Sequence, residues 1–364
     1  MEFICTKCGR KEAVTTRAAH CACGGLWRLA YEPPKFDLAE IDRNEWSLFR
    51  YRRFLALDDE SWRVVSMGEG MTPVVRLDDN VLLKMDYFMP TLSFKDRGAA
   101  TLIAHCKSIG VQQVVQDSSG NAGNAVAAYC ARSGIGCEIF VPEGTSPKKI
   151  DMIRAHGAVC TVVPGTRDHC ADVCREKVER EGVYYANHVY NPFFYEGTKT
   201  YIYEVFEQLG RIPANLVIPV GNGTLFLGAM YALEHLFNSG VIDRFPQIIA
   251  LQSQNCDPLL RAAEHGKTEP EAVMPAPTIA EGIAIGKPMR GREILTLAEK
   301  HGVHFIHAPE EQILSARATL AKKGIYCEHT TAANYAAYLE YCRVYGKTSD
   351  TLITMCGAGL KSDH

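Results

Sequence analysis

The sequence has no excess of positive charge and no apolar run long enough to cross a membrane. Its 39 lysines and arginines are balanced by 42 aspartates and glutamates, and the net charge is -3. This balance leaves no basic surface of the kind that nucleic-acid binding requires. The longest apolar stretch, residues 216–233, is broken by a Gly-Asn-Gly turn and falls short of the roughly 18 uninterrupted residues of a membrane helix. We therefore expect a globular protein with small-molecule partners, no nucleic acid and no membrane.

We expect neither a leader sequence nor a disulfide framework in this chain. The first ten residues, MEFICTKCGR, contain neither the basic segment nor the apolar segment that signal peptides combine. There are 14 cysteines, but they are scattered through apolar stretches of a long chain rather than spaced as in a small secreted domain. We expect a reducing, cytoplasmic environment.

An alternation of apolar strands and amphipathic helices begins near residue 98. Nearly continuous apolar strands are typical of parallel sheets covered by helices on both faces. Because the chain is too long for one core, we predict an α/β fold of two lobes, each with a mostly parallel, helix-covered sheet. The predicted strands lie at 111–116, 136–142, 158–164, 183–187, 215–221, 247–253, 303–308 and 350–357. The predicted divisions are a zinc-ribbon-like segment at 1–28, a large domain at 29–97 and 191–364, and a small domain at 98–190.

Two loops between a predicted strand and the next helix are rich in small residues. Ligands of such sheets collect at the carboxyl ends of strands, where these loops lie. In the loop at 117–125, the side chains of Ser118, Ser119 and Asn121 and the free helix N–H groups can hold a carboxylate or a ring oxygen. The loop at 221–224, Gly-Asn-Gly-Thr, can form a nest of N–H groups for a phosphate. An ordinary polar turn is the alternative for each, and the chain has no nucleotide P-loop motif.

A third stretch, PTLSFKDRGAA at 90–100, has a lysine where a helix disfavours one. Ser93 and Asp96 have the spacing of a capping box, so a helix is expected to begin there. Lys95 and Arg97 then lie in its first turn, beside the partial positive charge of the helix. A partly desolvated lysine next to Arg97 would have a lowered pKa and a nucleophilic amine suited to a Schiff base. The alternative is a surface lysine at a helix end.

Two cysteine knuckles in the first 25 residues predict a structural metal site. Cys5 and Cys8 are separated by two residues, and a glycine follows Cys8, as in a zinc knuckle. The second knuckle is irregular because only one residue separates Cys21 from Cys23, and His20 with Cys23 would restore the usual gap. We expect zinc on the four cysteines, with His20 as the alternative ligand and a metal-free remnant as the alternative for the segment.

In this order and spacing, the three stretches resemble the fold type II, or tryptophan synthase β-like, family of pyridoxal-phosphate enzymes, and within it the threonine synthases. The resemblance covers nearly the whole chain and implies that Lys95 carries pyridoxal phosphate covalently. It implies Asn121 on the pyridine 3-hydroxyl and Cys356 opposite the ring nitrogen. It places the cofactor phosphate on Gly221, Asn222, Gly223 and Thr224, and the substrate carboxylate on Ser118, Ser119, Gly120 and Asn121. The other stretches that carry it are GEGMTPVVRL (68–77), NPFFYEGTKT (191–200), AEGIAIGKP (280–288), YCEHTTAAN (326–334) and CGAGLK (356–361).

The resemblance places a thiol opposite the ring nitrogen, and this thiol affects which type of reaction the cofactor would favour. Cys356 is a weak hydrogen-bond partner, so the ring nitrogen stays mostly neutral and elimination or replacement is favoured over transamination. The implied reaction eliminates phosphate from O-phosphohomoserine and adds water to give threonine, in a homodimer. The amine of Lys95 is then the base that removes the Cα proton, with Asp96 and Arg97 as support.

The substrate half of the pattern departs from the threonine synthases. These enzymes end in a TGHGLK-like string, whereas this chain has Ala358 in place of the histidine. Their EPxSA string has become EHTTA, with His329 and Thr331 in unusual places. Glu328 in that string either approaches the cofactor ring or caps the next helix. The alternatives are a β-replacing synthase or a serine/threonine ammonia-lyase on the same fold, and, from another class, a non-catalytic zinc-ribbon binding protein.

Overall fold

Three sheets organise the chain in the computed structural model, which describes residues 1–57 and 59–361. Within those residues, no helix is both long and apolar enough to span a membrane. The strands are β1 (Glu2–Cys5), β2 (Lys11–Ala13), β3 (Trp27–Ala30), β4 (Val74–Arg76), β5 (Val81–Lys84), β6 (Gln113–Gln116), β7 (Gly136–Pro142), β8 (Val159–Val163), β9 (Tyr184–Tyr185), β10 (Asn215–Pro219), β11 (Gln247–Ser253), β12 (His304–Ala308) and β13 (Thr351–Thr354). The α-helices are α1 (Trp62–Val65), α2 (Lys95–Ser108), α3 (Asn121–Ser133), α4 (Pro147–Ala155), α5 (Arg167–Glu181), α6 (Phe193–Leu209), α7 (Thr224–Asn238), α8 (Pro258–Glu264), α9 (Gly291–Lys300), α10 (Glu310–Ala321) and α11 (His329–Tyr345).

The largest sheet has six strands in the order β12-β11-β10-β13-β5-β4. All its pairings are parallel except that of β4 with β5. Successive side chains of β10 enter different cores: Leu216 and Ile218 pack on the α7 side, and Val217 packs on the α11 side. Since side chains alternate across a strand, a strand with a core on each face must be apolar at every position. This is why β10 reads as one apolar run.

The second sheet has four strands in the order β8-β7-β6-β9, and all of them are parallel. Val114 and Val115 are both fully buried, in two different core clusters on the two faces of β6. Helix α3 packs on α2 and on β7 and covers one of these faces. The prediction of two mostly parallel, helix-covered sheets is therefore confirmed.

The N-terminal segment forms a small antiparallel sheet in the order β2-β1-β3. It is too short to bury a core of its own, and its aromatic residues join the core of the body. The ring of Phe3 lies 6.0 Å from that of Phe193 at the start of α6. Trp27 is buried and donates its indole N–H to the carbonyl of Ala18. The segment is thus docked on the body rather than tethered to it.

Some local predictions differ from the structure. The predicted capping box is wrong, because α2 begins at Lys95 and its preceding residue offers no side-chain cap. The carboxylate of Asp96 instead accepts hydrogen bonds from the backbone N–H and the hydroxyl of Thr91. The hydroxyl of Ser93 has no hydrogen-bond partner among the described residues. The hairpin of β4 and β5 adds two strands that the sequence pattern did not predict.

Candidate active site

A cavity of about 260 Å³ lies at the carboxyl ends of strands from both larger sheets. Its walls include the loops that follow β6, β7, β8, β9, β10 and β13, together with the start of α2. The structure therefore brings together the residues that the sequence singled out on separate loops. The predicted residues that line the cavity are Lys95, Ser118, Ser119, Gly120, Asn121, Gly221, Asn222, Gly223, Thr224 and Cys356.

Lys95 is the first residue of α2, and its amine faces the cavity. The Nζ atom lies 3.4 Å from the hydroxyl of Thr224 and 4.3 Å from the ring centroid of Phe94. Burial lowers the pKa of Lys95 to about 8, against the opposing negative charge of Glu328. This amine is consequently a usable base and nucleophile near neutral pH.

The predicted position of Arg97 beside the lysine amine is wrong. Its guanidinium is fully buried and points into the core, where it binds the carboxylates of Asp86 at 2.7 Å and Glu204 at 2.6 Å. The amine of Lys84, also fully buried, lies 2.8 Å from Glu204. Two cations thus neutralise two carboxylates beneath the first turn of α2. The network holds the helix that presents Lys95, and desolvation rather than Arg97 sets the pKa of the amine.

The glycine-rich loop at 221–224 forms a concave nest at the start of α7. Gly223 has φ +79°, a left-handed conformation, and a Cβ there would lie 2.3 Å from Ile294 Cδ1. A Cβ at Gly221 would lie 3.0 Å from Ile285 Cγ1. No side chain caps α7, so its first N–H groups are free for a ligand. A helix start of this kind binds phosphate through backbone N–H groups and the helix dipole.

The loop after β6 carries Asn121, the first residue of α3, into the cavity. Its amide nitrogen lies 3.2 Å from a carboxylate oxygen of Glu328. Glu328 immediately precedes α11 but makes no capping hydrogen bond with its side chain. Glu328 was expected either to face the cavity or to cap the next helix. The structure therefore favours the position that faces the cavity.

Cys356 follows β13 and lines the same cavity as Asn121. Its sulfur lies 3.2 Å from the hydroxyl of Thr331 and 3.8 Å from the amide nitrogen of Asn334. Burial raises the pKa of Cys356 to about 12. The group at this wall is therefore a neutral thiol, which is a weak hydrogen-bond partner.

Other residues that line the cavity were missed by the sequence reasoning. His188, Arg167 and Lys149 follow β9, β8 and β7, at the same ends of strands as the residues that were found. The rule that ligands collect at these ends was a signal for them, but their loops contain no glycine-rich motif. Glu281 and Lys361 also line the cavity. Glu281 pairs with Lys149 at 2.9 Å, and Lys361 donates to the carbonyl of Thr91 at 3.0 Å.

The cysteine knuckles converge on a single cluster away from this cavity. The sulfurs of Cys5, Cys8, Cys21 and Cys23 all lie within 4.8 Å of one another. Four thiolates at this spacing are the ligand set that tetrahedral zinc prefers. His20 is outside the cluster, with its Nδ1 atom 3.0 Å from the carbonyl oxygen of Cys21.

The fold and the cavity together combine an α/β architecture with a buried lysine that faces the glycine-rich start of a helix. The chain belongs to the family of pyridoxal-phosphate dependent enzymes, whose model matches residues 65–357. The matched region includes the lysine, the glycine-rich nest and the cavity thiol. The resemblance to this family is confirmed, and it favours an enzyme over a non-catalytic zinc-ribbon binding protein.

Individual proteins similar to this chain are found among both curated sequences and solved structures. The threonine synthase of Methanocaldococcus jannaschii is 30% identical over 347 residues, covering 91% of this chain and 85% of the relative. That of Mycobacterium leprae is 30% identical over 322 residues, covering 85% and 87%. The processed threonine deaminase isoform 2 of Solanum lycopersicum superposes with TM-score 0.71 at 21% identity, covering 90% of this chain and 86% of that one. Maize serine racemase gives TM-score 0.68 at 20% identity, covering 84% and 94%. The structures establish the fold, and the sequence relatives indicate a threonine synthase-like member.

Proposed function

We propose that this enzyme eliminates phosphate from O-phosphohomoserine and adds water to give threonine. The observation that carries the proposal is the position of Lys95 opposite the nest at 221–224 within one cavity. The two threonine synthases that are 30% identical over most of this chain support the choice of substrate. In the proposed balance, O-phosphohomoserine and water become threonine and inorganic phosphate.

The residues present fit pyridoxal phosphate. The uncapped start of α7 and the closely packed glycines at 221 and 223 suit its phosphate. Asn121 would bind the ring hydroxyl, and the neutral thiol of Cys356 would face the ring nitrogen. When bound, the cofactor withdraws electrons from the substrate, which makes the Cα proton acidic. A weak partner at the ring nitrogen favours elimination over transamination.

Lys95 is the residue that would move the Cα proton. Because burial lowers the pKa of Lys95 to about 8, part of the amine is unprotonated at neutral pH and can accept a proton. The hydroxyls and N–H groups of 118–121, at the start of α3, would hold the substrate carboxylate. Held in this way, the substrate would have its Cα proton within reach of the Lys95 amine.

The remaining sequence predictions stand as proposals beside the reaction. A structural zinc on Cys5, Cys8, Cys21 and Cys23 is supported by the proximity of their sulfurs. The domain divisions at 1–28, at 29–97 with 191–364, and at 98–190, a homodimer, and a cytoplasmic location stay predictions from the sequence.

A substrate screen tests the proposed reaction. The purified enzyme is incubated with O-phosphohomoserine, O-phosphoserine, serine and threonine, and the release of phosphate, ammonia and amino-acid products is measured. We expect phosphate and threonine in equal amounts from O-phosphohomoserine, and no such turnover from a Lys95→Ala variant. Ammonia from serine or threonine without phosphate release would indicate an ammonia-lyase. Phosphate from O-phosphoserine with transfer to an added nucleophile would indicate a β-replacing synthase.

A further inference from the structure

Arg290 is a buried arginine where the N-terminal segment meets the loop after β9. It immediately precedes α9 and is 2% exposed. Its Nε atom donates to the carbonyl of Val189 at 2.6 Å. One terminal nitrogen donates to the carbonyls of Trp27 and Tyr190, both at 3.0 Å, and the other donates to the carboxylate of Glu293 at 2.9 Å. One guanidinium therefore links the N-terminal segment to the loop after β9.

The carbonyl of Trp27 belongs to a strand that lies against the cysteine cluster. Trp27 is paired with Cys5 in the antiparallel register of β3 and β1. The backbone N–H of Cys21 donates to the carbonyl of Gly25 at 2.9 Å. A Cβ at Gly25 would lie 2.5 Å from the sulfur of Cys5, so the chain passes very close to the cluster two residues before Trp27. Zinc on the four cysteines would therefore fix the strand that presents this carbonyl to Arg290.

The loop after β9 is bound in turn to the loop after β6. The side-chain oxygen of Asn187 accepts hydrogen bonds from the backbone N–H groups of Val189, at 2.7 Å, and Tyr190, at 3.1 Å. The amide nitrogen of Asn187 donates to the carboxylate of Asp117 at 2.6 Å. Asp117 immediately precedes residues 118–121, which line the cavity. A continuous set of contacts thus runs from the N-terminal segment to the stretch proposed to hold the substrate carboxylate.

The lysine proposed to carry the cofactor is held by other contacts. Lys95 begins α2. The first turn of this helix is held by the hydrogen bonds of Asp96 with Thr91 and by the ion pair of Arg97 with Asp86. A change in the N-terminal segment is therefore expected to reach the substrate loop more than the attachment of the cofactor.

We propose that Arg290 is a positioning residue through which zinc in the N-terminal segment strengthens substrate binding. When zinc is lost, the strand that carries the Trp27 carbonyl is released and Arg290 loses one of its fixed partners. The loop at 187–190 then spends less time in the arrangement that holds residues 117–121 in place, and the apparent affinity for substrate falls. This inference rests on the proposed zinc site and on the proposed function, since it names a regulation of that same active site.

Hydrogen–deuterium exchange of the full-length holoenzyme tests the coupling without any turnover. Zinc is removed with a chelator, and its loss is measured by elemental analysis. We expect backbone exchange in peptides that cover 187–190 to become about 10-fold faster, as for a lost hydrogen bond, and exchange in β10 to stay the same. Unchanged exchange at 187–190, an equal rise in β10, or purified enzyme without zinc would each overturn the inference.

Arg290→Lys tests whether the arginine itself carries the coupling. Lysine keeps a positive charge beside Glu293, but its single amine cannot span the acceptors that surround the planar guanidinium. The matched control is Arg292→Lys, which replaces an exposed arginine that pairs with Glu269. In Arg290→Lys with zinc bound, we expect peptides at 187–190 to exchange about 10-fold faster than in the control.

Removal of zinc from both variants completes a double-mutant cycle. We expect zinc removal to speed exchange at 187–190 by less than about 2-fold in Arg290→Lys and by about 10-fold in Arg292→Lys. Leu26 also packs with Val189 and Tyr190 in one core cluster, and coupling through that packing would not need Arg290. Equal effects of zinc removal in the two variants would therefore overturn the role of Arg290.

Kinetics connect the coupling to the reaction. For the zinc-free enzyme and for Arg290→Lys we expect KM for O-phosphohomoserine to rise at least about 5-fold, with kcat within about 2-fold and unchanged absorbance of the bound cofactor. If the unmodified, zinc-loaded enzyme does not release phosphate from O-phosphohomoserine, the proposed function fails, and the exchange experiment still decides the coupling. If the unmodified enzyme does release phosphate but KM is the same with and without zinc, the coupling is wrong and the reaction stands.

Discussion

Replacing Arg97 by methionine is expected to destabilise the protein far more than an ordinary arginine substitution. The guanidinium makes hydrogen bonds to both oxygens of Asp86 and of Glu204, at 2.6 to 2.8 Å. All of these side chains are fully buried. Methionine keeps most of the length of the side chain but removes the charge, so two buried carboxylates would be left with Lys84 as their single buried cation.

The magnitude follows from the cost of an uncompensated buried charge. Removing one partner of a buried ion pair typically costs about 3–5 kcal/mol, which is a large part of the roughly 5–15 kcal/mol by which domains are stable. Burial by itself raises the pKa of Glu204, but Arg97 and Lys84 together lower it from 4.5 to about 2. The ionised carboxylate therefore stabilises the native state above pH 4.5, and this contribution is lost as the pH falls toward 2.

Denaturant unfolding of the variant, measured at several pH values, checks this account. At pH 7 we expect a loss of about 3–5 kcal/mol. We expect the difference from the unmodified protein to shrink as the pH is lowered from about 5 toward 3, because the carboxylate left without Arg97 takes up a proton more readily. Arg63→Met is the control, since Arg63 is exposed and pairs with Glu60 on the surface, where an ion pair is worth at most about 1 kcal/mol. A loss at Arg97 no larger than at Arg63, or one independent of pH, would refute the reasoning.

Three further changes test other parts of the structure. Gly223→Ala places a Cβ 2.3 Å from a neighbouring side chain at positive φ and is expected to abolish retention of pyridoxal phosphate through gel filtration. Gly240→Ala, after the same helix, has positive φ but open space and should retain the cofactor. Arg290→Met removes a buried guanidinium that donates hydrogen bonds to carbonyls of both the N-terminal segment and the loop after β9. We expect a protease to cleave within the first 28 residues faster in this variant than in the control Arg292→Met, which replaces an exposed arginine. Elemental analysis of the unmodified protein is expected to give about one zinc ion per chain, and Cys8→Ser is expected to contain less. The same zinc content in the variant and in the unmodified protein would contradict the four-thiolate site.

The position of the cavity could be predicted because two of its loops have a local signal. The loops at 117–125 and 221–224 each join an apolar strand to a helix through small residues, and the carboxyl ends of parallel strands meet at one edge of a sheet. Lys95 was also found from a local signal, because the helix dipole disfavours a cation at the start of a helix. Signals of this kind depend on residues that are close in sequence, so they can be recognised without knowing which distant residues pack against them.

The contacts that depend on distant partners could not be predicted. Arg97 was placed beside the lysine amine because the two are close in sequence, but its charge is compensated by Glu204, 107 residues away. The capping box failed because the carboxylate of Asp96 binds Thr91 instead. His188 was missed because nothing in its loop shows that the ring is buried and faces a cavity.

The central claim is that the amine of Lys95 carries pyridoxal phosphate, and covalent trapping tests it most directly. The holoenzyme is reduced with borohydride and digested, and the pyridoxyl group is located by mass spectrometry. We predict the label on the peptide that contains Lys95. Lys149 and Lys361 also line the cavity, and they serve as internal controls. A label on either of these residues, or no label on the chain, would contradict the claim.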